Sequence, residues 1–267
     1  MKLHYYYRTH IGLSMILLQK KRLLQYLKLK LNYVLQPNQR NIQMISSLYH
    51  TFQDNSSHGE DSFLVKDLGQ NSFLDVVLDG VTGHGGGEAS QNVAQALSDS
   101  TITSMDDVIE ILSEMNSDFY QVGGGKYLLT TASVVLYREN TIDILNAGDS
   151  PIYHITPDSH QRISSSLGGI LRTSGTKLIG ADSELYVSQR QLSLNPGDKV
   201  VVASDGVSDN ISLEELLDIV RSSQSPDLAG QTIKHLIDEH LELGLAPQIT
   251  GARYRHDDQT AIIRFFN

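Results

Sequence analysis

The stretch VVLDGVTGHGGG, residues 76–87, places an aspartate at the end of an apolar run and a glycine-rich segment directly after it. The run Phe73–Leu78 predicts a β-strand, so Asp79 has a rigid base and an exposed carboxylate. Gly80 then lets the backbone approach other groups closely. The glycines of 83–87 lack the Lys-Ser/Thr pair of a P-loop, which argues against nucleotide binding. An isolated Asp-Gly pair is typical of a turn, so the rest of the chain decides its role.

Three more aspartates stand at the ends of apolar, strand-like runs. Asp149 follows Ile142–Ala147, Asp205 follows Val200–Ala203, and Asp257 comes just before the last apolar run. Carboxylates that converge at short range repel one another strongly unless cations hold them together. Because every such ligand offers oxygen, the pattern predicts a hard divalent cation, Mg²⁺ or Mn²⁺, rather than zinc.

The composition excludes several classes of protein. The chain has 267 residues, of which 40% are hydrophobic, and this is typical of a globular protein with one or two domains. It contains no cysteine, which excludes disulfide scaffolds, thiolate metal sites and cysteine nucleophiles. The longest apolar run, residues 11–18, is far shorter than the roughly 20 residues of a transmembrane helix, so no membrane span is expected.

The charges divide the chain into two regions. The first 53 residues contain eight Lys/Arg and no acid, whereas all 31 acids lie from Asp54 onward. An acidic body argues against nucleic acid as a partner. Apolar and basic residues alternate at helical spacing over residues 11–35, which indicates an amphipathic helix. We therefore predict an N-terminal extension at 1–44 and a main domain at 45–267. Three interpretations of the extension stay open: a helix packed on the main domain, a transit peptide, or a helix that contacts a membrane surface.

The order of the predicted elements favours an α+β fold. Strand-like runs outnumber helical ones, and they do not alternate as in a Rossmann fold. The main strand predictions are Ser62–Lys66, Phe73–Leu78, Ala132–Tyr137, Thr141–Asn146, Pro151–Ile155, Glu184–Arg190, Lys199–Ala203 and Thr260–Phe266. The predicted helices are Glu88–Asp99, Met105–Tyr120, Leu213–Ser222 and Pro226–Leu243. This order suggests antiparallel sheets with helices outside.

Six short segments together resemble the metal-dependent, type 2C protein serine/threonine phosphatases. In chain order they are GED (59–61), VLDGVTGHGG (77–86), TTA (130–132), NAGDS (146–150), ASDGVSDN (203–210) and DDQT (257–260). Each is weak alone, but their order is specific to that family. The resemblance covers residues from about 45 to 267 and implies a four-layer α-β-β-α sandwich of two antiparallel sheets, with a metal site at one end.

The resemblance also implies the site residues and cofactors. Asp79 matches the carboxylate that bridges two metal ions, Mn²⁺ or Mg²⁺, and the carbonyl of Gly80 matches a further ligand. Asp205 and Asp257 match the remaining carboxylates of the first metal. Asp61 is the candidate catalytic residue, because it matches an acid that acts near the second metal through bound water. Asp149 matches a ligand of a third, weakly bound ion.

Two departures from the family pattern concern the binding of phosphate. Many members have an arginine about five residues before the acid matched by Asp61, but here that position is Ser56. His58 is the nearest basic candidate for phosphate binding. Some members have a histidine directly after the Asp-Gly pair, where this chain has Val81; His84, three residues on, is the second weak candidate.

The function implied is hydrolysis of phosphoserine and phosphothreonine in proteins by direct attack of a metal-activated water. One alternative is the related branch of phosphatases that act on regulatory proteins in sporulation and stress-response partner switching. Another is a catalytically inactive scaffold that binds phosphoproteins. The expected location is the cytoplasm, or an organelle if residues 1–44 are a transit peptide. The sequence names neither the phosphoprotein substrate nor the oligomeric state.

Overall fold

The computed structural model describes residues 46–163, 177–244 and 254–267. The extension at 1–44 and the helix predicted at 11–35 lie outside these ranges. The strands of the described part are β1 (Ser47–Asp54), β2 (Ser62–Gly69), β3 (Ser72–Leu78), β4 (Ala132–Arg138), β5 (Thr141–Ala147), β6 (Ile152–Ile155), β7 (His160–Ile163), β8 (Ser188–Ser193), β9 (Lys199–Ala203) and β10 (Gln259–Phe266). They form two antiparallel five-stranded sheets, ordered β1-β10-β9-β6-β7 and β2-β3-β4-β5-β8.

The helices end where local sequence signals place them. In the described part they are α1 (Gly86–Asp99), α2 (Met105–Gly123), α3 (Asp205–Ser208), α4 (Leu213–Ser222) and α5 (Pro226–Leu243). Ser104 and Ser212 cap α2 and α4, each in a capping box with an acid three residues on. The left-handed Gly124 ends α2. None of these helices is long and apolar enough to cross a membrane.

The alternation of side chains along β3 explains the layers. Leu74, Val76 and Leu78 pack with α1 and α2 in one core. Val77 points to the opposite face and packs with residues of both sheets, among them Val202 and Ile262. A third core lies between the β1-β10-β9-β6-β7 sheet and helices α4 and α5. The predicted α+β fold with four layers, α-β-β-α, is confirmed.

The antiparallel register brings the ends of several strands to one end of the sandwich. Ser62, at the start of β2, pairs with Leu78 at the end of β3. Ala203, at the end of β9, pairs with Ala261 near the start of β10. The aspartates that flank these four strand ends therefore meet, although up to almost 200 residues separate them along the chain.

Candidate active site

The site is a cluster of aspartates at this end of the sandwich. Asp61 precedes β2, Asp79 follows β3, Asp149 comes two residues after β5, Asp205 begins α3, and Asp257 precedes β10. The carboxyl groups of Asp79 and Asp205 influence the pKa values of one another, and each of the two also feels the charge of Asp149. The structure thus brings together residues from five of the six segments of the resemblance.

Burial and mutual repulsion raise the pKa values of three of these carboxyl groups. Burial raises the pKa of Asp61 from 3.8 to about 7, with smaller contributions from the charges of Asp258 and Asp205. Burial likewise raises the pKa of Asp205 to about 6. The pKa of Asp79 lies well above its ordinary value because of burial first and the charge of Asp205 second. In the absence of a cation, the cluster holds protons near neutral pH.

We expect the metal-free protein to lose stability as the pH rises from about 4 to about 8. The folded-state pKa values of Asp61 and Asp205, about 7 and about 6, exceed the ordinary 3.8, so the folded state binds more protons than the unfolded state in that window. The stabilisation is therefore complete below about pH 4 and is lost as the pH rises through 6 and 7.

Thermal unfolding in EDTA at several pH values tests this expectation. Asp61→Asn is the matched control, because it removes one of the titrating groups and should flatten the pH dependence. Added Mn²⁺ should restore stability at pH 8. A metal-free protein that is most stable at pH 8 would contradict the assignment of these pKa shifts.

The TTA segment holds the peptide of Asp79. The Asp79 backbone N–H donates to Thr131 Oγ1 at 3.0 Å, and its carbonyl accepts from the Thr131 N–H at 2.8 Å and from Thr130 Oγ1 at 3.0 Å. Gly80 lies so close to Gly86 that a Cβ on it would stand 2.3 Å from the Gly86 carbonyl carbon. The two threonines and the glycine therefore fix the direction in which the Asp79 carboxylate leaves the sheet.

The NAGDS segment forms the support beneath Asp149. Ser150 Oγ and Thr131 Oγ1 lie 3.0 Å apart, and the Ser150 carbonyl accepts from Ser133 Oγ at 2.6 Å and from Asn146 Nδ2 at 2.9 Å. Gly148 has a φ of 104°, which a residue with a side chain rarely adopts. These buried hydrogen bonds join the supports of Asp149 and Asp79 into one network.

Asn210 supports Asp205 from behind. Its Nδ2 donates to the Gly206 carbonyl at 2.7 Å and to the Arg255 carbonyl at 2.8 Å, and its Oδ1 accepts from the Arg255 N–H at 3.0 Å. His240 of α5 donates through Nδ1 to the Asn210 carbonyl at 2.8 Å. The asparagine of the ASDGVSDN segment therefore connects the turn of Asp205 to the chain just before Asp257.

The two histidine candidates have different surroundings. His58 lies at the cluster, with Nδ1 3.1 Å from Asp257 Oδ1, and its side chain is partly exposed. His84 is exposed, and its Nδ1 donates to the Lys126 carbonyl at 2.7 Å. None of the described contacts of His84 is with an aspartate of the cluster, so the structure brings His58, and not His84, into contact with the cluster.

Asp258 is a buried residue of the site to which the sequence assigned no role. Its carboxylate accepts backbone N–H groups from Ser57, His58 and Glu60. The signal that could have found it is a second carboxylate directly after Asp257 and directly before a buried strand. A buried aspartate needs hydrogen-bond donors, and only the fold shows that the segment 57–60 supplies them.

The donor chemistry of the cluster fits hard divalent cations. Asp61 is 4% exposed, and its Oδ2 is buried without a hydrogen-bond partner. A cation, or water held by one, would give this oxygen the partner it lacks. Within the described ranges, no three His, Asp or Glu side chains already stand in a ligand arrangement, so binding requires side-chain adjustment.

Comparisons with known proteins agree with the fold. The family model described as Stage II sporulation protein E (SpoIIE) matches residues 73–265, well over half of the chain. No curated protein sequence matches. Similar solved structures include the serine/threonine phosphatase Stp1 from Staphylococcus aureus (TM-score 0.66, 21% identity, 83% of this chain and 96% of that chain).

Two further structures are of proteins with bound metal ions. RsbX in complex with magnesium has a TM-score of 0.59 and 15% identity, over 84% of this chain and 96% of that chain. The catalytic domain of the serine/threonine protein phosphatase PstP, in complex with two manganese ions, has a TM-score of 0.61 and 21% identity, over 83% of this chain and 99% of that chain. At these identities the structural likeness shows a shared fold.

Proposed function

Since this chain belongs to the SpoIIE family of type 2C-like serine/threonine phosphatases, we propose that its aspartate cluster is the active site for hydrolysis of phosphoserine and phosphothreonine in proteins. One observation carries this proposal. The carboxyl groups of Asp61, Asp79 and Asp205 converge at one end of the sandwich, where burial and repulsion raise their pKa values. Such a cluster of carboxylates destabilises the fold unless it binds cations. Type 2C phosphatases use divalent cations to hydrolyse the phosphoester.

The residues present fit two divalent cations, Mn²⁺ or Mg²⁺. Asp79, the Gly80 carbonyl, Asp205 and Asp257 would hold them, with Asp61 acting through water. Asp149 would complete a third, weaker site with Asp205. When bound, the cations supply Lewis-acid activation of water and offset the negative charge of the phosphate. The two manganese ions of PstP support the count of two.

The side chains of the site hold the reactants in place and supply no covalent nucleophile. The chain has no cysteine, which excludes a cysteine nucleophile, and the resemblance to type 2C phosphatases implies water as the attacking group. Asp61 is placed to orient water through its unpartnered Oδ2. His58, partly exposed beside Asp257, is the candidate for contact with the substrate phosphate in the place of the missing arginine. His84 is the weaker candidate, since it contacts the Lys126 carbonyl.

The family match favours the partner-switching branch as the source of substrates. The matching family model is that of a sporulation protein. Action in partner switching is also one of the alternatives to a general type 2C enzyme that the sequence leaves open. The substrates would then be small phosphorylated regulatory proteins. An inactive scaffold is disfavoured because Asp79, Asp205 and Asp257 are all retained. Cytoplasmic location and membrane contact of residues 1–44 stay predictions.

We expect the full-length chain to hydrolyse p-nitrophenyl phosphate and a phosphothreonine peptide with Mn²⁺ or Mg²⁺, and to be inactive in EDTA. Readdition of the metal should restore turnover, and calorimetric titration should give two Mn²⁺ per chain. Faster turnover of a folded phosphorylated regulator than of the peptide would identify the partner-switching branch. Full turnover after removal of all metal, verified by elemental analysis, would contradict the proposed function.

A further inference from the structure

Asp258 makes an unusual set of contacts beside the proposed active site. It is 3% exposed, and its two carboxylate oxygens accept three backbone N–H groups of one loop, residues 57–60. Oδ1 accepts from Ser57 at 3.1 Å and from His58 at 2.9 Å, and Oδ2 accepts from Glu60 at 2.7 Å. Hydrogen bonds to a charged acceptor are about twice as strong as neutral ones. The carboxylate is therefore the main anchor of this loop.

The loop leads directly to two residues of the site. Glu60 precedes Asp61, so its N–H fixes the chain just before that carboxyl group. His58 Nδ1 lies 3.1 Å from Asp257 Oδ1. Ser57, His58 and Gly59 are exposed, so apolar packing contributes little to the position of the loop. The Glu60 carbonyl also accepts from the Gly80 N–H at 3.2 Å and from Ser90 Oγ at 2.6 Å, which hold the end of the loop. Asp258 is the described acceptor of the Ser57 and His58 N–H groups at its start.

The backbone of Asp258 also contacts the turn of Asp205. A Cβ on Gly206 would stand 2.0 Å from the Asp258 carbonyl oxygen, and Ser204 Oγ donates to the same carbonyl at 3.4 Å. Asp258 thus lies where the chain segments of Asp61, Asp205 and Asp257 meet. Its carboxylate contacts the loop that leads to Asp61, whereas its backbone carbonyl contacts the turn of Asp205.

We propose that Asp258 is a positioning residue, which holds the loop 57–60 so that Asp61 and Asp257 stand ready for metal binding. The proposal rests on the proposed function for the identity of the ligand. Asp258 is not itself a ligand in this assignment, because its oxygens are engaged by three N–H groups. A carboxylate is required, since an asparagine side chain would present an N–H₂ group to one of these donors.

The variant Asp258→Asn tests the assignment, with Asp198→Asn as the matched control. Asp198 is equally buried and accepts from His154 and from a backbone N–H, but its partners lie outside the site. In the metal-free protein, we expect the amides of residues 57, 58 and 60 to exchange with solvent at least tenfold faster in Asp258→Asn. Calorimetry should show Mn²⁺ binding weakened 10- to 100-fold. At saturating Mn²⁺, kcat should fall no more than about threefold.

The control should leave amide exchange in the loop and Mn²⁺ affinity unchanged while it lowers the melting temperature. Unchanged exchange and affinity in Asp258→Asn would overturn the proposal. Loss of Mn²⁺ binding with the amides still protected would also overturn it, because Asp258 would then be a ligand. If Asp258→Asn does not fold, amide exchange in the wild type tests the proposal instead. Unprotected amides at residues 57, 58 and 60 would then show that Asp258 does not anchor the loop.

The same measurements separate this inference from the proposed function. Amide exchange and Mn²⁺ affinity need no substrate, so they test Asp258 even if the wild type hydrolyses no phosphoester. Conversely, an active wild type whose Asp258→Asn variant matches it in exchange and in affinity would retain the proposed function and lose the positioning role.

Discussion

Replacing Asp79 with asparagine is expected to lower phosphatase turnover by about a thousandfold or more, and Asp205→Asn should do the same. Both carboxylates are proposed metal ligands. Metal ions stabilise the charge of the transition state by several kcal/mol, and each 1.4 kcal/mol is tenfold in rate. The measurement is kcat for a phosphothreonine peptide over a range of Mn²⁺ concentrations.

The same two variants should stabilise the metal-free protein at pH 8. Each removes one carboxylate from a cluster whose members repel one another in a buried site. Loss of activity with a gain in melting temperature is the expected signature of a functional site that costs stability. Asp118→Asn is the control, because Asp118 is exposed on α2 and should affect neither quantity. Near wild-type kcat in Asp79→Asn would refute the site assignment.

The sequence could predict the aspartates of the site because their local signals are strong. Asp79 and Asp205 each follow a buried apolar strand and precede a glycine. A side chain at that glycine would collide with a neighbouring segment of backbone. The resemblance then supplied their order. The role of Asp258 could not be predicted in this way, since its donors at 57–60 lie about 200 residues away. Contacts of that kind depend on the register between strands, which no local pattern encodes.

The strands that were not predicted from the sequence, β1 and β7, lie at the two edges of one sheet. β1 and β7 carry polar and half-exposed side chains and lack the apolar alternation that identified β3. β8 begins at Ser188, four residues after the predicted start, and is also a polar edge strand. Edge strands bury one side at most, so burial gives their sequences little pattern.

Two predicted apolar strands each contain one charged residue. Asp75 lies in the middle of FLDVVL, and Arg264 lies in AIIRFF. The structure pairs them across the two sheets: Arg264 Nε donates to Asp75 Oδ2 at 2.8 Å, and Nη2 donates to Oδ1 at 2.6 Å. Arg264 is 1% exposed and its guanidinium also lies over the rings of Phe73 and Tyr137. The pair is the polar connection at the centre of the sandwich.

Replacing Arg264 with methionine is expected to lower the free energy of unfolding by about 3–5 kcal/mol. The substitution leaves Asp75 buried without its bidentate partner, and an uncompensated buried charge costs that much. Asp75→Asn should destabilise by a similar amount, because Arg264 would lose its counter-charge. Urea unfolding followed by circular dichroism gives the free energies. A loss of this size is a large fraction of the free energy of unfolding of a typical domain.

The double variant Asp75→Leu/Arg264→Met distinguishes a buried charge from a packing defect. If the cost comes from the unpaired charge, removing both partners should recover most of the stability, since buried ion pairs are often replaceable by apolar residues of similar volume. If the cost comes from lost packing against Phe73 and Tyr137, the double variant should be no more stable than either single one. Lys234→Met sets the scale, because the pairs of Lys234 with Asp54 and Asp238 are partly exposed and worth at most about 1 kcal/mol. A loss in Arg264→Met no larger than in Lys234→Met would show that the ion pair does not hold the two sheets together.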